Sequence, residues 1–446
     1  MDSYLIGLLG VAVLIFLLAV GTHVGIALAI SGFLGLYYLQ GFEKALVTTV
    51  SSFYGKISTT ALVTLPLFIL VGFLASGGGI SRDIYRSLDL LIGRFRSGLG
   101  IATVIGCTAF GTVCGSSLVT AAVFAKISAP EMRKRGYSKA LAYGICAASG
   151  SIGMLIPPSI LAIVYGMLSG ISIGKILIAG IVPGCIWAIL FSLTILLIAR
   201  MKSSWIGASE APPAAPWRQR LASLLWWWPV LVSGAIIFGG IYGGVFTPTE
   251  SAAVAALVLF GLYLYRSLFR RSEISFLRRF RDLYEMLTET AVTSAMIFFV
   301  LGTATIFSNF AVLTGLTTRF SNMVIGLGLS PLGIVLLFCV VYLILGCFLD
   351  SVSMLCMTVS LFNPIVEKAG VDPIWYAVIV ILSIEIGFIT PPFGINLFSV
   401  LGVAEKDVEI KDLIVGSSPF LVAELISLLI FFSFPGLATF LPAIVR

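Results

Sequence analysis

Charge is scarce in this 446-residue sequence. Asp, Glu, Lys and Arg make up 11% of it, against 59% hydrophobic residues, whereas a soluble domain carries about 25% charged residues. That deficit excludes an ordinary soluble domain. The ~10-residue alternating segments of a membrane β-barrel are also missing, while several apolar stretches reach the ~20 residues a membrane-spanning helix needs. The single histidine, His23, sits in a tight turn, which argues against a metal site. No HExxH, no TVGYG and no P-loop occurs, so zinc hydrolase, potassium filter and nucleotide-driven pump find no signature in this chain. Cys107, Cys114, Cys146, Cys185, Cys339, Cys347 and Cys356 lie in apolar segments without a CxxC and read as small core residues. Asp2 stands where a signal peptide carries a basic region, so residues 4–20 read as a retained helix.

What is present is a repeat of helix breakers. Ser116, Pro130, Gly136, Gly153, Pro157 and Pro158 recur, at a constant offset of 234, as Asp350, Pro364, Gly370, Gly387, Pro391 and Pro392. Proline removes a backbone donor and pushes the residue before it out of helical geometry. Each copy therefore reads as a polar-tipped hairpin followed by a span broken at Pro-Pro.

In chain order, residues 4–20 and 23–40 read as helices joined at Gly21-Thr22-His23, residues 41–56 as an interfacial helix, and 57–77 as a third span. A hairpin candidate covers 98–132, a broken span 140–170 and a further span 176–199. Residues 203–222 form a Pro/Ala/Ser-rich linker, followed by an interfacial anchor at Trp226-Trp227-Trp228. Spans are expected at 226–243 and 251–265, with Glu250 capping the second. A basic arm (266–285), a span at 288–309, a hairpin at 331–366, a broken span at 373–403 and a last span at 413–433 complete the chain. Two hairpin arms of ~17 residues reach about 25 Å, slightly short of a ~30 Å core. The small polar tips favour re-entrant hairpins packed within protein.

Counting hairpins as zero crossings, each half crosses five times, and an odd number inverts the second copy. About 20 of the 27 Lys and Arg fall in loops this scheme places inside, about six outside. The positive-inside bias supports the inversion and puts both termini in the periplasm. The reading is an all-α polytopic membrane protein with inverted repeats (1–202 and 223–446, linker 203–222), two re-entrant hairpins and two broken helices.

Breaking a helix within the membrane frees backbone groups that lipid cannot satisfy. A hard cation takes oxygen ligands, and half-helix N-termini suit an anion. Two Na⁺ sites are expected. One involves Gly115, Ser116, Ser117, Ser149, Gly150 and Gly153; the other Asp350, Ser351, Gly387 and Thr390. A substrate between them would meet Ser116, Ser117, Pro157, Pro158, Ser351, Pro391, Pro392 and Asn396. Asp350 reads as a cation attractor or a helix cap, roles that can coexist. Glu385 has a structural and a protonation reading. For many of the small residues, Gly100 and Gly106 among them, close helix packing is the plainer role, and Lys126 reads as snorkelling to the surface.

At these residues the sequence resembles the large membrane subunit of tripartite ATP-independent periplasmic (TRAP) transporters. The resemblance rests on Pro66-Leu67-Phe68-Ile69-Leu70-Val71-Gly72, Gly115-Ser116-Ser117, Pro130-Glu131-Met132 through Gly136-Tyr137, and Ile156-Pro157-Pro158-Ser159. It continues through Ser172-Ile173-Gly174, Pro183-Gly184, Pro248-Thr249-Glu250 and Thr390-Pro391-Pro392-Phe393-Gly394. Gly21-Thr22-His23 departs from it, since the family's first turn is expected to hold a proline. The resemblance implies an elevator mechanism in a bacterial inner membrane and Na⁺-driven uptake of a small carboxylate. It also implies two partners, a small membrane (Q) subunit and a soluble periplasmic binding protein. A related divalent-anion-type carrier that needs no binding protein is the alternative.

Overall fold

A computed structural model describes residues 2–207, 215–269 and 276–444. These residues are helical almost throughout; the one extended bridge among them pairs Tyr137 with Ile206. Six helical stretches among the described residues are long and apolar enough to cross a membrane, and Lys139–Leu155 with Ile160–Ser169, bent by 42° at its break, makes seven when counted as one span. Ser3–Ala19 and Val24–Gln40, also expected as spans, have 17 residues each and reach about 25 Å, a little under a ~30 Å core.

Local chemistry sets the helix ends. Asp2 accepts a hydrogen bond from the Tyr4 amide, and His23 Nδ1 accepts one from the Gly25 amide, so the lone histidine is the cap of the second helix. Thr247 and Glu250 cap Pro248–Phe269 reciprocally: the Thr247 amide donates to Glu250 Oε2 (2.8 Å) and the Glu250 amide to Thr247 Oγ1 (3.3 Å).

The breakers recur in three dimensions. The first hairpin is Gly98–Cys114 and Ser117–Ile127, the second Pro331–Gly346 and Ser351–Lys368. The first broken helix is Lys139–Leu155 and Ile160–Ser169, the second Pro373–Ile389 and Ile395–Leu401. Gly136 and Gly370 take left-handed backbone (φ 86° and 72°) in the turns between hairpin and broken helix, a conformation that favours glycine. Ser138 and Asp372, again 234 residues apart, cap the two broken helices. Pro157-Pro158 and Pro391-Pro392 are both cis.

The helices sort into two groups. Ser3–Ala19, Val24–Gln40 and Phe42–Ile57 pack on the 38-residue helix Phe276–Leu313, which also packs on Thr64–Gly77; Thr64–Gly77 in turn packs on Pro248–Phe269. The hairpins, the broken helices and Ile410–Ser433 pack chiefly on one another. Within this second group, hydrogen bonds cross between the chain halves. Arg133 holds Asp407 (2.8 Å), Lys139 holds Asp412 (2.9 Å), and Ser399 donates to the Leu118 carbonyl (3.1 Å).

Three boundaries differ from the sequence expectation. The basic arm expected at 266–285 opens as the last turn of Pro248–Phe269, and from Phe276 it is continuous with the span after it over Phe276–Leu313, because charge alone does not end a helix; residues 270–275 lie outside the described part. The linker begins tethered rather than free, with Ile206 bridging to Tyr137 and its carbonyl accepting from Arg96 Nη2 (2.6 Å); residues 208–214 lie outside the described part. The breaks start later than Gly153 and Gly387, at Ile156 and Thr390, so both glycines are still helical.

Candidate functional site

Each hairpin tip lies against the break of its own broken helix. At the first tip Gly115 has left-handed backbone (φ 63°), and a Cβ there would stand 2.3 Å from the Pro158 carbonyl oxygen. The Ile160 amide donates to the Gly115 carbonyl at 3.3 Å. Along the same contact, a Cβ on Gly111 would meet the Gly153 Cα at 2.5 Å, one on Gly150 the Ser117 carbonyl oxygen at 2.9 Å, and one on Gly153 the Thr120 hydroxyl at 2.7 Å. Absent side chains thus let backbone meet backbone at this point.

The second tip repeats the contact with different side chains. Gly346 and Gly387 face each other, a Cβ on Gly346 standing 2.9 Å from the Gly387 Cα. Cys347 Sγ lies 3.7 Å from the Pro391 carbonyl oxygen. Asp350 is the N-cap of Ser351–Lys368, its Oδ1 accepting from the Ser353 amide at 3.0 Å, so the capping role is in place. Thr390 donates back to the Ile386 carbonyl of its own helix (2.7 Å). The first break, with Pro157 and Pro158, is buried; Pro391 and Pro392 in the second are exposed.

The two modules also touch each other. Ser117 Oγ lies 3.5 Å from Glu385 Oε1, and Asn396 Nδ2 donates to Ser151 Oγ at 3.1 Å. The structure therefore brings Gly115, Ser117, Gly150, Gly153 and Pro158 together, and separately Gly387 and Pro391 with the second tip. Ser116 opens the descending arm as an uncapped N-terminal residue. Ser351 is buried at the start of its helix.

The donor set suits a hard cation. The buried oxygens Ser149 Oγ, Thr120 Oγ1, Ser353 Oγ and Asn396 Oδ1 have no hydrogen-bond partner, whereas at the second tip the Ile344 and Leu345 carbonyls are taken up by the amides of Cys347, Phe348 and Leu349. Oxygen ligands of this kind fit Na⁺ chemistry. Sequence reasoning missed one residue here. Glu424, fully buried on Ile410–Ser433, has two unpartnered carboxylate oxygens. The signal for it was legible: it is the one charge within the apolar stretch 413–433.

Comparison with known proteins adds the lineage. The family model described as "Tripartite ATP-independent periplasmic transporter, DctM component" matches residues 11–437. The C4-dicarboxylate TRAP transporter large permease protein DctM of Vibrio cholerae is 31% identical over 451 residues, 97% of each chain. The isethionate TRAP transporter permease protein DctMQ of Oleidesulfovibrio alaskensis is 31% identical over 394 residues, 88% of this chain; the chain spans 60% of that longer relative. The crystal structure of the YdaH transporter of Alcanivorax borkumensis superposes with a TM-score of 0.58 over 89% of each chain at 15% identity, a likeness of fold alone. This chain is a multi-pass membrane protein and belongs to the DctM family of TRAP transporter permease components; it is a transporter subunit, not an enzyme.

Proposed function

We propose that this chain is the large membrane subunit of a Na⁺-coupled secondary transporter that imports a small organic acid through the bacterial inner membrane by an elevator movement. One observation carries the reading: each hairpin tip abuts the break of its own broken helix, and the two modules interlock through Ser117–Glu385 and Asn396–Ser151. The interlock favours a single moving body. The helices packed around Phe276–Leu313 would then be the scaffold. Lys56, on Phe42–Ile57, donates to the Met167 carbonyl at 3.0 Å, a contact between scaffold and body that the movement has to exchange.

The repeats would be 1–202 and 223–446, joined in the cytoplasm by 203–222, with both termini periplasmic. Gly115, Ser116, Ser117 and Ser149 would hold one Na⁺ ion with the carbonyls of the first break. Asp350, Ser351, Gly387 and Thr390 would hold a second. Bound there, Na⁺ supplies the positive charge that makes room for a carboxylate. Asn396 and the N-termini at Ser117, Ser159 and Ser351 offer donors to that carboxylate. The exposed Pro391-Pro392 break would line a cavity, since irregular backbone in a membrane is tolerated there and not against lipid.

The relatives' names point to small organic solutes that carry an acid group, a C4-dicarboxylate, isethionate and ectoine. The DctMQ name also supports a Q-type membrane partner. Delivery by a periplasmic binding protein follows the family's description. The test is uptake of labelled C4-dicarboxylate and isethionate into proteoliposomes holding this chain and its small subunit. Uptake that needs both an inward Na⁺ gradient and the soluble protein supports the reading. Uptake without the soluble protein would assign the divalent-anion-type carrier, and uptake indifferent to Na⁺ would remove the coupling ion.

A further inference from the structure

Two carboxylates sit among the helices of the hairpin group with no ion-pair partner among the described residues. Glu385, on Pro373–Ile389, and Glu424, on Ile410–Ser433, are both fully buried. The two helices that carry them pack against each other. Three of their four oxygens, Glu385 Oε2 and both of Glu424, lack a hydrogen-bond partner. The cations on the surrounding helices stand at their ends, two turns or more from either glutamate: Lys126 near the end of Ser117–Ile127, Lys139 at the start of Lys139–Leu155, Lys411 at the start of Ile410–Ser433 and Arg200 at the end of Ile181–Met201. The titratable groups nearer the helix middles, Tyr143, Cys146, Cys339, Tyr342 and Tyr376, carry no positive charge.

Glu385 reaches the first hairpin tip, and Glu424 stands at the same level on a helix packed against Lys139–Leu155. Lys139 pairs with Asp412 and Gly144 packs on Gly416, so Ile410–Ser433 runs parallel to Lys139–Leu155. That register sets Glu424 level with Ser151 and Ile152, between Gly150 and Gly153, the two glycines that face Ser117 and Thr120. Glu385, on Pro373–Ile389, places Oε1 3.5 Å from Ser117 Oγ. A strong hydrogen bond from a hydroxyl to a carboxylate is shorter, about 2.5–2.7 Å. Two oxygens at right angles on one hard cation, each about 2.5 Å from it, stand about 3.5 Å apart. An unpaired buried carboxylate is costly, and a second of like charge nearby adds to the cost. An arriving cation relieves both.

We propose that Glu385 is a direct ligand of the cation at the first hairpin tip, and that Glu424 is the second anionic group drawing the ion there. The proposal rests on the Na⁺ reading above and deepens it. The ion would be bound between the first hairpin and the second broken helix, joining the two halves of the chain through one centre. Ser117 would be shared between hairpin and ion, and Glu424 would act through the field at Glu385 rather than by contact.

The test is equilibrium binding of radiolabelled Na⁺ to the purified full chain in lipid nanodiscs, with melting temperatures recorded in Na⁺ and in choline. Glu385→Gln is expected to weaken Na⁺ binding about tenfold or more, and Glu424→Gln by a smaller factor. In choline both variants are expected to melt above the wild type, because each removes an uncompensated buried charge. The rise that Na⁺ gives the wild type should shrink in both. Glu385→Asp, which keeps the charge, is expected to recover part of the binding. Wild-type Na⁺ affinity in both glutamine variants would overturn the proposal and leave the carboxyls as neutral core groups outside the site. A wild type that retains no Na⁺ would overturn the Na⁺ reading itself, a result separable from the first because binding is then absent rather than unchanged.

Discussion

Gly416 lies against Gly144 with no room for a methyl group between the helices. A Cβ on Gly416 would stand 1.8 Å from the Ala140 carbonyl oxygen, and one on Gly144 2.2 Å from the Gly416 carbonyl carbon. In a membrane, where lipid is as apolar as leucine, such close approach is what holds helices together. Gly416→Val should force the first broken helix and the closing helix apart. The expected cost is about 1–3 kcal/mol, as for overpacked cores, read as a lower melting temperature of the solubilised chain. An unchanged melting temperature would contradict this packing.

Arg133, on the short helix Ala129–Lys134 that follows the first hairpin, holds the loop after the second broken helix, with Nη2 2.8 Å from Asp407 Oδ2. The hydrogen bond from Arg133 holds the Asp407 carboxyl below the usual aspartate range. Because the folded-state value is the lower one, the contact stabilises the fold above the unfolded-state pKa of about 3.9. That contribution is lost as pH falls through the folded-state value. Both side chains meet solvent, so the effect is small. Arg133→Ala should speed amide exchange in residues 402–409 at neutral pH, with the wild type matching it only below about pH 4. Identical exchange at neutral pH would show that the pair holds nothing.

The readable part of this chain was its punctuation. Gly136, Gly370, Pro157 and Pro391 act through local backbone rules, so hairpins and broken helices could be placed from their spacing alone. Roles that depend on three-dimensional approach were less legible. Gly153 and Gly387 look like helix breakers in sequence, yet both are helical and serve as contact points for Gly111 and Gly346. Glu424 was legible as the one charge within 413–433, but that its helix packs on the one carrying Glu385 was not, since the two lie apart in the chain. The helix over Phe276–Leu313 was divided too early because its basic first turns look interfacial while the backbone simply continues.

The linker gives a direct check of orientation. With Cys185, the exposed cysteine, replaced by serine, Glu210→Cys should react with a membrane-impermeant thiol reagent in inside-out vesicles and not in intact cells. Labelling of intact cells would overturn the proposed topology, and with it the inversion of the second repeat.

Na⁺ titration of solute uptake in proteoliposomes tests the central claim most directly, by comparing the wild type with Ser116→Ala and Asp350→Ala, both still inserted in the membrane. Loss of one oxygen ligand or one nearby charge should move half-activation to Na⁺ concentrations about tenfold higher. Superimposable titrations in all three proteins would contradict a cation held where hairpin tip meets broken helix.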